Sequence, residues 1–242
     1  MQLALGAVYA WSVFRIPLTQ AYGWTIPEVT LTFTIAIFVL GFGAFAGGLW
    51  MRRVGPRAVA MAAGVLYGLG VFLASLADGR LWWMYGSYGL IAGIGLGFGY
   101  IVPVATLVKW FPDRRGMITG IAVAGFGAGA LVTAPLATRM IAEVGPARTF
   151  ALLGAIYFVA VTCAGWFMRN PPTGYQPEGW TPPPSQQLRT TSSYTLREAL
   201  GTWQWYGLWA LLFLNTSAGI SIISQAAPMA EEITGVTAAA AA

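Results

Sequence analysis

Residues 93–129 read GIGLGFGYIVPVATLVKWFPDRRGMITGIAVAGFGAG, two glycine-rich apolar runs around a charged island from Lys109 to Arg115. A charge near the centre of a bilayer costs about 2.5–3.5 kcal/mol on insertion scales, so the island cannot lie in lipid. The flanking runs are too long and too uniformly apolar for an ordinary soluble core. The island therefore marks a membrane surface, with the chain crossing on either side of it.

Composition agrees. Hydrophobic residues make up 57% of the 242 and charged residues 9%, and the mean hydropathy is +0.66. Those values belong to multi-span helical membrane proteins. There is no His and a single Cys, Cys163, inside an apolar run, which excludes a disulfide scaffold and His/Cys metal or haem sites. The basic pI of about 9.6 does not indicate nucleic acid, because the cations fall in short loops between apolar runs. Residues 1–14 lack the cationic start of a signal peptide.

Working outward from the island, residues 81–108 form a fourth span, with Pro103 its expected bend. Pro112 stops that span, and Asp113 is the expected N-cap of a fifth, which reaches residue 142. Upstream, spans are expected over 1–14, 29–51 and 58–77, with a loop over 15–28 and a tight turn at Asp78-Gly79-Arg80. Downstream lie a sixth span over 150–168 and a Pro-, Ser- and Thr-rich linker over 170–195. A short surface helix over 194–203 and a seventh span over 205–226, ended by Pro228, Glu231 and Glu232, follow. A crossing helix needs about 20 apolar residues. The short first run and the Gly235 opening of an eighth are thus expected to be parts of a longer protein.

Lys and Arg set orientation. Nine of the thirteen follow spans 2, 4 and 6, at 52, 53, 57, 109, 114, 115, 169, 189 and 197, against four at 15, 80, 139 and 148. The even-numbered loops and the linker are therefore expected in the cytoplasm.

Three marks recur in order. G-x-x-Y occurs at Gly6–Tyr9 and Gly97–Tyr100, G-F-G-A at Gly41–Ala44 and Gly125–Ala128, and V-G-P before an arginine at Val54 and Val144. Their first residues differ by 97 − 6 = 91, 125 − 41 = 84 and 144 − 54 = 90. The order favours a duplicated three-helix unit, inverted because three is odd; chance recurrence in a Gly-rich chain is the competing reading.

The residues resemble a known family. Six spans, a linker and a further span resemble the major facilitator superfamily. More narrowly, GAVYAWSVF (6–14), VKWFPDRRG (108–116) and LNTSAGISIISQAAPM (214–229) resemble the oxalate/formate antiporter family. The resemblance implies an all-α polytopic fold: a major facilitator-like six-helix half built from an inverted 3+3 repeat, plus a seventh span. It covers essentially the whole chain and implies about twelve spans in a full member. Two departures stand out. The superfamily's loop signature G-x-x-x-D-R-x-G-x-R matches Gly48, Arg53, Gly55 and Arg57, but Arg52 occupies its acidic position. The span-4 arginine of proton-coupled exporters is missing at residues 90–92.

The resemblance places spans 1 and 4 along a central cavity, making Tyr9, Trp11, Tyr100 and Phe126 candidates for substrate contact, with packing or interface roles the alternative. Asn215 and Gln225 in span 7 are polar groups at membrane depth, for substrate contact or inter-helix hydrogen bonding. Lys109, Asp113, Arg114 and Arg115 are expected to anchor the loop at the anionic leaflet and to serve gating second. The pairs Gly93/Gly97, Gly95/Gly99 and Gly125/Gly129 read as helix-packing patterns rather than phosphate loops. No Asp or Glu lies deep in an apolar run of spans 1–7, which favours exchange or facilitated movement over proton coupling. The cations for a dicarboxylate are expected beyond Ala242; Arg15 and Arg139 are the nearest here, each able to snorkel outward.

The division expected is a six-helix bundle over 1–168, a cytoplasmic linker over 169–203 and the start of a second bundle over 204–242. The function expected is a secondary transporter of small carboxylates, by oxalate/formate-type exchange, in the plasma membrane. Its partners are a small carboxylate anion, the bilayer and the remainder of its own second half, with no nucleic acid, cofactor, metal or catalytic residue. A monocarboxylate facilitator or symporter and a half-length assembly subunit are the alternatives; an enzyme is disfavoured, with no His and no nucleophile paired to a base.

Overall fold

The computed structural model describes residues 1–177, 179–180 and 195–234, apart from the side chains at 196, 223–228 and 230–234. Among these residues every regular element is helical. The first span is three pieces in line: α1 (Gln2–Leu5), a 3₁₀ stretch (Gly6–Trp11) and α2 (Ser12–Tyr22). The loop expected from Arg15 is instead helix. Phe14, Arg15 and Leu18 are buried on one face, and that packing offsets the hydrogen bond lost at Pro17. Gly23, at φ 70°, ends it.

The second span, α3 (Ile26–Val54), starts from a capping box in which the Thr25 N–H donates to Glu28 Oε2 at 2.8 Å. The third is α4 (Pro56–Ala74), followed by the expected turn, with Asp78 at φ 45° and Gly79 at φ 77°. The fourth comprises α5 (Leu81–Met84), a π-helical stretch (Tyr85–Ala92) and α6 (Gly93–Trp110). Its irregularity is that π stretch. Pro103 lies inside α6 without ending it.

Next come α7 (Arg115–Gly127) and α8 (Gly129–Trp166). Asp113 does not cap α7: the N-cap is Arg114, and the Asp113 carboxylate pairs with Arg114 Nε at 3.3 Å. Non-helical Gly145 divides α8 into the end of the fifth span and the sixth. The expected surface helix is α9 (Leu196–Leu200). The seventh span, α10 (Trp203–Thr234), runs on through Pro228 instead of ending there. The Gly235 opening of an eighth lies outside the described residues. Among the described residues four stretches are long and apolar enough to cross a membrane: Ile26–Val54, Pro56–Ala74, Leu81–Trp110 and Arg115–Trp166.

Helix pairing follows the repeat. Gly97 of the fourth span lies against the backbone of Gly43 and Ala44 in the second; Gly129 of the fifth lies against Gly6 and Leu3 in the first. The third and sixth pack on each other at Gly68–Phe158 and Gly154–Phe72. Exchanging spans 1, 2 and 3 with 4, 5 and 6 maps this pattern onto itself, as a twofold between the triplets requires. The V-G-P marks share a backbone as well: Gly55 lies at φ 84°, ψ 167° and Gly145 at φ 79°, ψ 167°.

Hydrogen bonds gather the even junctions at one end. Lys109 Nζ donates to Asn170 Oδ1 at 3.1 Å, Trp110 Nε1 donates to the Arg169 carbonyl at 2.7 Å, and Arg57 stacks 3.2 Å above the Trp166 ring. At the other end Trp24 Nε1 donates to the Gly79 carbonyl at 3.1 Å, and the Tyr85 hydroxyl to the Glu28 carbonyl at 3.1 Å.

Candidate functional site

Phe126, the aromatic of the second G-F-G-A, is buried where the first, fourth and fifth spans meet. The rings of Tyr9 and Tyr100 meet it edge-to-face, with centroids at 5.3 and 5.2 Å. Gly6 lets the first span come onto the Phe126 carbonyl, where any Cβ would collide. Gly6 and Tyr9 share a face because side chains three apart eclipse in a 3₁₀ helix. Both tyrosines are partly buried.

Gln2 is a member that sequence reasoning missed. It is buried, its Nε2 donates to the Tyr100 carbonyl at 3.3 Å, and its Oε1 has no hydrogen-bond partner. A buried acceptor left unsatisfied costs about 1–3 kcal/mol. The available signal was one amide in an otherwise apolar opening run, masked by its place at the helix start.

Trp11 goes elsewhere. With Val8 it takes the opposite 3₁₀ face into the core, its indole N–H donating to the Val29 carbonyl at 3.2 Å. Tyr88 packs against it at 4.5 Å and Phe14 and Phe150 at 6.2 Å each. In the seventh span Thr216, Ser217, Ile220 and Ser221 line an open groove of about 510 Å³ against Ile37 of the second. Asn215 is exposed beside it, and the side chain of Gln225 lies outside the described residues.

Among the described Lys and Arg residues Arg15 alone is buried; Arg139 is exposed. A cation within a span is there by exception and points to function. Of the loop residues, Gly48 has room for a Cβ, which would lie 3.8 Å from Ile101, Gly55 makes the left-handed junction, and Arg57 and Lys109 tie the even junctions. Arg53, Asp113, Arg114 and Arg115 are exposed. Among the described residues no cluster of three or more His, Cys, Asp or Glu could hold a metal ion.

The chain is 29% identical over 237 residues to the uncharacterized MFS-type transporter YhjX of Escherichia coli (strain K12), covering 96% of the chain and 56% of the relative. It is 26% identical over 228 residues to the oxalate:formate antiporter of Oxalobacter formigenes, covering 94% and 52%. Monocarboxylate transporter 13 of Rattus norvegicus is 30% identical over 161 residues, 66% of this chain and 37% of that one. The chain thus spans about half the length of the first two. The family model for the Major Facilitator Superfamily matches residues 2–242, and the chain belongs to that superfamily.

Proposed function

We propose that this chain builds one wall of the passage of a secondary transporter that exchanges small carboxylates by alternating access, in the oxalate/formate manner. The observation that carries the reading is the meeting of Tyr9 and Tyr100 on Phe126 beside the buried amide of Gln2. Phenol and amide groups on an apolar wall suit a small planar carboxylate, and the similarity to the oxalate:formate antiporter supports that class. Arg15 adds positive potential within the same span. Trp11 fixes the first span from behind. Asn215 and Gln225 belong, in this reading, to the facing wall begun by the seventh span.

Residues 1–168 act as one bundle, 169–203 as the cytoplasmic linker and 204–242 as the start of the second bundle. The protein sits in the plasma membrane with Arg53, Arg57, Lys109, Arg114 and Arg115 on the cytoplasmic side. It moves its substrate without transforming it. The second reading is a monocarboxylate facilitator or symporter, favoured by the similarity to monocarboxylate transporter 13.

Counterflow in proteoliposomes tests this. Radiolabelled oxalate should enter faster when formate is trapped inside, and Tyr9→Phe with Tyr100→Phe should slow it. Lactate uptake indifferent to internal carboxylate would favour the second reading; no uptake of any carboxylate would overturn both.

A further inference from the structure

Along the second span Phe38, Phe42, Phe45 and Leu49 recur at the spacing of one helical face and are 67, 64, 63 and 50% exposed. That stripe leads to an open groove of about 540 Å³ lined by Ala46, Leu49, Trp50, Arg52 and Arg53. The pattern is apolar at depth, an indole at the rim and two guanidinium groups at the helix end.

The arginines have no countercharge. Among the described residues the one ion pair is Asp113 with Arg114. Arg57, the next cation along, is stacked on Trp166. Arg52 and Arg53 are exposed, with no hydrogen bond or ion pair to another described residue. Adjacent positive charges repel each other, and side chains at a bilayer rim meet headgroups first.

We propose that this groove binds one anionic phospholipid. Its phosphate lies between Arg52 and Arg53, its glycerol against Trp50, and an acyl chain along Leu49, Phe45 and Phe42. Charge selects the ligand: a zwitterionic headgroup brings its own cation to two arginines, whereas phosphatidylglycerol brings only the anion. The apolar stripe requires the acyl chain, so a soluble phosphate ester is a poor substitute.

Native mass spectrometry of the detergent-purified protein, with phosphatidylglycerol or phosphatidylcholine of identical chains, tests the site. Wild type should retain phosphatidylglycerol in preference, and glycerol phosphate at equal concentration should not displace it. Arg52→Gln/Arg53→Gln should lower retention about 25-fold, from roughly 1 kcal/mol for each basic residue. Arg80→Gln/Arg148→Gln at the opposite end, both exposed, should leave it unchanged. Both pairs are exposed, so an unchanged elution profile verifies the fold. Equal retention of the two lipids, displacement by glycerol phosphate, or indifference to Arg52→Gln/Arg53→Gln would overturn the proposal. So would a protein-only oligomer that covers Phe42 and Phe45 and retains no lipid.

Discussion

Gly97 and Gly43 show how much one missing side chain does in this bundle. Each is pressed against the backbone of the other's helix, in a setting where close packing replaces the hydrophobic drive available in water. Gly97→Val should destabilise by about 1–3 kcal/mol through overpacking, read as a lower Tm in detergent. Gly41→Ala should be tolerated, because nothing lies within 4 Å of its Cβ position. Gln2 gives the opposite pattern. Gln2→Leu removes the orphan acceptor together with the hydrogen bond to the Tyr100 carbonyl, two effects of opposite sign and similar size, so Tm should stay close to wild type while oxalate binding weakens. A lower Tm with unchanged binding would place Gln2 in the packing alone.

Which of Tyr9 and Trp11 meets Phe126 is the residue-scale fact that sequence could not supply. The two lie two positions apart in one aromatic-rich run. Residues two apart never share a helical face, and here Tyr9 goes to Phe126 while Trp11 goes to Val29. Arg15 was misplaced for a related reason: a charge beside a proline reads as the end of a helix, yet burial of Phe14 and Leu18 carries the helix on.

At the scale of elements, the V-G-P junctions make a paired prediction. Gly55 and Gly145 hold a backbone region that is essentially closed to other residues and costs about 1–3 kcal/mol when forced. Gly55→Ala and Gly145→Ala should therefore lower Tm by similar amounts, and a large effect at one site alone would count against equivalent junctions. Helix α9 makes a pH prediction. Glu198 is held below the usual carboxylate range by hydrogen bonds first from the Thr195 backbone N–H and then from its side chain. A depressed pKa contributes stability above the unfolded value of about 4.3 and loses it as pH falls through the folded value. Exchange protection of amides 196–200 should hold near neutrality and fade on acidification below that range, and Glu198→Gln should flatten the response.

The elements that could be read directly were those with a physical marker on the chain itself. The charged islands after the second and fourth spans marked those ends, and Asp78-Gly79 marked a turn. The π stretch of the fourth span carries no such marker, since it reflects packing of Gly89 and Gly93 against the second span. Asp113 failed as a cap because Arg114 is adjacent and takes its carboxylate.

The molecule as a whole is built as two three-helix units exchanged by a twofold, and the proposed function puts Tyr9, Tyr100 and Phe126 on the wall of a carboxylate passage. Order along the chain was legible because the three repeated marks keep their sequence over 84 to 91 residues. Which aromatic faces inward was not: Phe42 and Phe126 occupy equivalent marks, yet Phe42 is 64% exposed and Phe126 4%. That contrast supplies the most direct measurement. Cys163 is an exposed free thiol, so it is first removed as Cys163→Ser. Tyr9→Cys, Tyr100→Cys and Phe42→Cys are then compared in proteoliposomes with a membrane-impermeant, water-soluble thiol reagent. Positions 9 and 100 should label at least tenfold faster than position 42, and oxalate should protect them. Labelling at 9 and 100 as slow as at 42, or untouched by oxalate, would contradict the account.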